Sequence, residues 1–260
     1  MTETDTTAVT INIEAEIEAI ANRYQSASGL GVQIFNMLNW PADALLSRLP
    51  ENARGKVEVL TVRGLEAAMS AASGSRAVVK DQKDWVNTAT ATAAGVVGGM
   101  GGLPTALAEL PVTVTLLMRA IQAIATEHGY DVDEEQTRKD CLLVFAANGP
   151  LTDAKGELDL NFLASRGTLN GVNVFIGIGL IAPRLAGVLG RKLAAQTIPV
   201  IGAATAAATN YSYTGYYQQM AHVVFGLRRL SEQTGTPFAD LVEMLRDKAA
   251  QPKVNSALGA

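Results

Sequence analysis

Apolar positions recur along this chain with the spacing of helices. Ile13, Ile17, Ile20 and Tyr24 step by four, three and four, which sets them on one helical stripe, with Glu14, Glu16 and Glu18 off it. Trp40-Pro41 should end that region, because proline lacks an amide hydrogen and disfavours helix in the residue before it. A second stripe, Val57, Leu60, Gly64 and Ala67, carries small residues where a neighbouring helix can come close. The longest row is Leu103, Leu107, Leu110, Val114, Leu117, Ile121 and Ile124. Its steps alternate four and three, the pattern of a helix packed on another helix.

Punctuation falls where these helices need it. Pro104 suits a first turn, and Pro111 should kink the helix or mark its true start. His128-Gly129 reads as the end, with the glycine as a left-handed cap. Asp133, with Gln136 three residues on, is placed to cap the next helix, which carries Cys141, Leu142 and Phe145 and stops at Asn148-Gly149-Pro150. Thr236-Pro237 opens a last helix with Phe238, Leu241 and Leu245 inward. No strand alternation or fixed-period repeat is visible. The expected fold is all-α, a multi-helix bundle with central glycine-rich apolar helical hairpins. One domain spans 13–250, with an internal boundary near 148–158 and flexible ends at 1–12 and 251–260.

Composition adds constraints. Lys and Arg number 21 against 25 acids, a net charge of −4, which offers nucleic acid no attractive field. A single cysteine, Cys141, excludes an internal disulfide and suits a reducing cytoplasm. The first twenty residues lack the basic and apolar regions of a secretory signal. Only 18% of residues are charged, and the stretches 86–108 and Leu193–Leu227 contain no Lys, Arg, Asp or Glu; 170–190 is also apolar and glycine-rich. A bilayer span needs about 20 mostly apolar residues. The first stretch is weakened by Thr, Asn and Gly, the second by Gln196, Asn210, Gln218, Gln219 and His222. Burial in a helical protein and reversible membrane contact are therefore favoured over a span.

Candidate chemistry is sparse. The segment AAGVVGGMGGLPTALAELP (93–111) fails as a nucleotide loop: after Gly99-Met100-Gly101, Pro104 stands where GxGxxG needs its third glycine, and no Walker lysine follows Gly102. Gly95 with Gly99, and Gly98 with Gly102, place small residues four apart, which lets two helices approach; an anion nest and a hinge are the alternatives. His128 and His222 lie outside any metal-binding motif, and residues 151–162 do not supply a calcium loop, so neither metal nor cofactor is expected. No GxSxG elbow exists, and Cys141 sits in an apolar row as a buried, inert thiol. Glu109 and Arg119 are the only charges between 85 and 126, and pairing within the core is their simplest role. Four of six tyrosines fall in NYSYTGYY (210–217). Tyr211, Gly215, Gln218 and His222 share a face that could line a pocket or an interface, or simply pack with hydroxyls reaching solvent.

Two stretches resemble the EcsC family. In GVVGGMGGLPTALAELPVTVTLLMRAIQAIATEHGYDVDEEQTRKDCLLVFA (95–146), a glycine-rich run leads to an acid-Leu-Pro step, a long apolar helix and a His-Gly-Tyr-Asp ending. RKLAAQTIPVIGAATAAATNYSYTGYYQQMA (191–221) is similar to the family's Pro-Val-Ile-Gly-Ala segment and Asn-Tyr step. Glu109 departs from the aspartate of that pattern. The resemblance implies a bacterial, mainly helical protein without an agreed enzymatic activity, whose namesake accompanies an ABC transporter and affects secretion. The expected function is that of a non-catalytic accessory protein, cytoplasmic or peripheral on the inner face of the cell membrane. It would bind a lipid or other hydrophobic ligand, or the membrane itself, with a membrane transporter as a further partner. The candidate binding residues are Gly98, Gly99, Gly101, Gly102, Pro104, Glu109, Arg119, Asn210, Tyr211, Tyr213 and His222. The alternatives are a hydrolase built on Glu109, His128, His222 and the tyrosines, and a structural homo-oligomer.

Overall fold

The computed structural model describes residues 11–38, 46–47, 49–75, 102–150, 160–196 and 203–251. Trp40-Pro41, the glycines at 95, 98, 99 and 101, most of the 148–158 boundary and all but residues 11, 12 and 251 of the two expected flexible ends lie outside them. The described residues form an all-α multi-helix bundle, with no strand among them. In order these are α1 (Ile13–Leu38), α2 (Glu51–Ser75), α3 (Gly102–Ala108), α4 (Leu110–Glu127) and α5 (Glu135–Phe145). A 3-10 turn (Asn161–Ala164) leads into α6 (Ser165–Asn170), α7 (Val174–Gln196), α8 (Ala203–Thr234) and α9 (Phe238–Ala249).

Helices α1 and α4 bury the faces their periodicity set. Ile17, Ile20 and Tyr24 of α1 are buried, and α1 runs antiparallel along α8, with Ile20 meeting Gly226 and Leu30 meeting Gly215. The leucine row of α4 is buried from Leu110 to Ile124, and Met118, Ala120, Gln122, Ala123 and Ala125 are buried too. That leaves α4 enclosed by α2 and α8 on its flanks and α5 beyond its end. Pro111 marks the true start of α4. Glu109 is the joint between α3 and α4: its amide donates to the Thr105 carbonyl (3.1 Å) and its carbonyl accepts from Thr113 (2.9 Å). Gly129 closes the helix at φ +87°, as its position predicted.

The small-residue stripe of α2 is half right. Gly64 is where α2 touches α4: a Cβ there would lie 2.9 Å from Val114 Cβ and 3.1 Å from Pro111 Cα. Ala67, however, is exposed, and the buried face continues through Leu65, Ala68 and Met69. The expected cap at Asp133 also needs correction. The residue before α5 is Glu134, with no side-chain cap; Asp133 instead donates its amide to Asp131 Oδ1 (2.9 Å), and Gln136 reaches Asp140 and Asn170.

One polar knot lies inside the bundle. Asp140, 1% exposed in its side chain, accepts from Arg166 (2.9 Å), from Arg228 (3.2 Å) and from Gln136 (3.1 Å). Arg228 also donates to Thr137, Glu134 and Glu232, and its guanidinium lies 3.9 Å from the centroid of Tyr130. Burial opposes the charge on Arg228, but Glu232 and Asp140 prevail and hold it more firmly cationic. Arg166 in turn stacks over Phe238, so the knot ties α5, α6, α8 and α9 together.

Candidate functional site

Three places gather side chains with chemical potential. The first is the α3–α4 joint. The break imposed by Pro111 leaves Glu109 facing the C-terminal part of α7, where Lys192 is only 6% exposed. Burial lowers the Lys192 amine to about pKa 8, with the Glu109 charge pulling the other way, and burial raises Glu109 against the pull of Lys192. The ammonium sits 5.8 Å from the Tyr213 ring centroid, with no carboxylate within ion-pair distance among the described residues. Thr113, Asn210, Tyr213 and Thr214 border a space of about 10 Å3 beside it. Such a space holds about one water molecule. A partly neutral amine is a nucleophile in principle, but no substrate fits there.

The second place is a cleft of about 290 Å3 between α1, the end of α4 and α8, lined by Glu16, Ala19, Ile20, Arg23, Glu127, His128, His222, Gly226 and Arg229. His128 Nε2 lies 3.2 Å from His222 Nδ1, a hydrogen bond in which one ring donates. His128 is lowered to about pKa 4, first by burial, then by the charges of His222, Arg229 and Arg23. Its Nδ1 is buried without a hydrogen-bond partner. An imidazolium would need an acceptor at both nitrogens, so the ring stays neutral.

The third place is the open face of α7. Phe175 is 66% exposed, Ile176 52% and Leu180 50%, and exposed Gly179 and Pro183 continue the face to Arg184. No charged residue lies between Arg166 and Arg184. The opposite face of α7 (Ile178, Ile181, Ala182, Leu185, Val188 and Leu189) packs on α2 and α5. Among the described residues, Val174–Ala195 is the one helix long and apolar enough to cross a membrane, and over half of its most apolar part is buried inside the protein.

The residues singled out from sequence divide among these places. Glu109, Asn210 and Tyr213 meet at Lys192. His222 joins the cleft, and the 18 residues of α4 separate it and His128 from Glu109 by about 28 Å at 1.5 Å per residue. Arg119 is half-buried on α4, Pro104 is exposed on α3, and Gly102 is the first residue of α3. Gly98, Gly99 and Gly101 lie outside the described residues. Tyr211 is 55% exposed, whereas Tyr213, Tyr216 and Tyr217 are fully buried. Tyr217 packs edge-on to Phe145 and to Tyr216, so three of the four tyrosines are core residues whose hydroxyls do not reach solvent. Cys141 is buried, as its row implied.

Sequence reasoning missed Lys192, Arg23 and the α7 face. Lys192 stands in a basic pair, which reads as surface; its burial follows from the register of α7, set by Leu189 and Leu193 on either side. Phe175, Ile176 and Leu180 stood in a stretch apolar on every side, where periodicity assigns no outward face.

The EcsC protein family model matches residues 75–230. No curated protein and no solved structure matches the chain.

Proposed function

The chain belongs to the EcsC family, and from that premise we propose a non-catalytic accessory protein that rests reversibly on a lipid membrane through α7. The observation that carries this reading is the trio Phe175, Ile176 and Leu180, each at least half exposed within a charge-free stretch. Large apolar side chains grouped on a surface mark an interaction site more often than scattered ones do. Aromatic and aliphatic side chains at the tip of a helix enter the headgroup boundary without a span. The part of α8 from Thr209 to Leu227, also uncharged, is buried apart from Tyr211 and the partly buried Gly215, Gln219 and His222, and plays no such part. A place on the inner face of the cell membrane follows if the chain is cytoplasmic, and a transporter partner enters from the family resemblance alone.

Flotation with phosphatidylcholine vesicles tests the reading. The protein should float, and Phe175→Ser with Ile176→Ser should leave it at the bottom with an unchanged melting temperature. Because net charge is −4, added anionic lipid should weaken binding or leave it unchanged. A wild-type protein indifferent to vesicles overturns the proposal. If the protein is a dimer by native mass spectrometry and the same substitutions make it monomeric, the face belongs to a second copy instead.

A further inference from the structure

The cleft around the two histidines has no part in the membrane reading, and its chemistry points to a different ligand. Its floor is Ala19, Ile20 and Gly226, where α1 and α8 approach so closely that a Cβ on Gly226 would meet Ile20 at 3.2 Å. Its walls carry Arg23 from α1 and Arg229 from α8. Arg23 has one long hydrogen bond, 3.4 Å to Gln219, and no carboxylate partner among the described residues. Arg229 spends one nitrogen on Glu16 at 3.4 Å, with both side chains over 40% exposed. The guanidinium groups therefore keep most of their donors for something else.

Two arginines and two glutamates line the cleft, and at the His128 ring it is the arginines that register. The charges felt by His128 are those of Arg229 and Arg23, alongside its histidine neighbour, and all act against a proton on the ring. Glu127 is exposed at the rim. The end of α4 would oppose an anion through its free carbonyls. Those carbonyls are occupied, however: Ile124 accepts from His128 (3.0 Å), Ala125 from Tyr130 (3.0 Å) and Thr126 from Gly129 (2.9 Å). A metal ion is the wrong guest. Two arginines line the cleft with the histidines, and no group of three or more His, Cys, Asp or Glu side chains among the described residues is placed to hold one.

We propose that this cleft binds a phosphate group, held by the forked donors of Arg23 and Arg229 with the His128–His222 pair beside it. Guanidinium groups match phosphate oxygens in pairs, and 290 Å3 leaves room for a small organic substituent. The bound anion would replace Glu16 on Arg229 and bring negative charge to His128. The titratable and charged groups facing that ring are Glu16 and Arg23 from α1, Glu127 from its own helix end, and His222 and Arg229 from α8. An anion amid them raises the proton affinity of His128.

The phosphate could be free or part of a lipid headgroup, and two probes separate these sources. Inorganic phosphate, and dihexanoyl phosphatidylglycerol kept below its micelle concentration, are each titrated while the histidine ring signals are followed by NMR. Saturable movement of the His128 and His222 signals, with the His128 pKa rising from about 4, is the expected result. Response to inorganic phosphate assigns a soluble ligand; response to the short-chain lipid only assigns a headgroup. Arg23→Gln, at an exposed position, should lose roughly tenfold in affinity with its melting temperature unchanged. Glu127→Gln should bind tighter, and Arg63→Gln on distant α2 should bind as wild type. Failure of both probes to move the rings up to tens of millimolar, or Arg23→Gln binding as wild type does, overturns the proposal. Neither result bears on flotation through α7.

Discussion

Replacing Lys192 with methionine should make the protein more stable at neutral pH, although it deletes a charge facing a carboxylate. The folded-state pKa falls from 10.5 to about 8. At about 1.4 kcal/mol per unit, burying the charged amine costs the fold about 3 kcal/mol wherever the unfolded chain is protonated. The sign follows from proton counts. Between pH 8 and 10.5 the unfolded chain holds the proton and the folded chain has released it, so wild-type stability rises through that window. Below pH 8 both forms are charged and the full cost stands; above 10.5 it is gone. Methionine nearly matches the volume, and such exchanges cost less than about 1.5 kcal/mol. The net gain at pH 7 should therefore lie between about 1.5 and 3 kcal/mol, or several degrees in Tm for a chain of this size. Urea melts at pH 7 and pH 10.5, followed by circular dichroism, measure it. A variant no more stable than wild type at pH 7, or one whose advantage persists undiminished at pH 10.5, would refute the reasoning.

Other consequences of the packing are as direct. Gly64→Ala places a Cβ 2.9 Å from that of Val114 and against the backbone of Pro111, and should cost about 1–3 kcal/mol in a denaturant melt. Asp140→Asn removes the only buried carboxylate between Arg166 and Arg228 among the described residues and should cost about 3–5 kcal/mol. By contrast, Arg246→Gln, which breaks an exposed pair with Glu243, should stay under about 1 kcal/mol. His128, held near pKa 4 in the fold against an ordinary 6.5, stays neutral while the unfolded chain takes up a proton. Stability is thus lost as pH falls from 6.5 toward 4, and His128→Leu should flatten that limb of a Tm-against-pH curve.

The rows of apolar residues made most of the helices legible. Spacing by three and four states which side of a helix is buried, and this held for Ile17–Tyr24 and for Leu110–Ile124. Backbone punctuation was legible too, as the joint at Pro111 and the left-handed Gly129 show. Spacing does not state which helix lies opposite. His128 and His222 are 94 residues apart, and only the parallel course of α4 and α8 brings them together. Asp133 had the right chemistry for a cap but was drawn into a local turn with Asp131, a competition open to any Asp ahead of a helix. Lys192 was illegible for another reason: a lysine in a sequence pair looks solvated, and its depth is a property of the α7 register.

The α7 face is the case where magnitude decides the kind of membrane contact. Fully burying a large apolar side chain gains about 1.5–3 kcal/mol. Phe175, Ile176 and Leu180 are each half to two-thirds exposed, so lipid can supply roughly 1–2 kcal/mol apiece and roughly 4 together. Binding of about that strength corresponds to a dissociation constant near millimolar lipid, weaker than that of one myristoyl chain. A span would gain far more, but it would require α7 to leave α2 and α5 and expose Ile178, Ile181, Leu185 and Leu189, which now fill the core. The lost contacts fall on both sides of that exchange, since the same side chains are apolar in either setting, while the vacated core would open to water. Contact through the outer face leaves the core intact, and its modest strength makes the association reversible on its own and dependent on a second attachment for permanence.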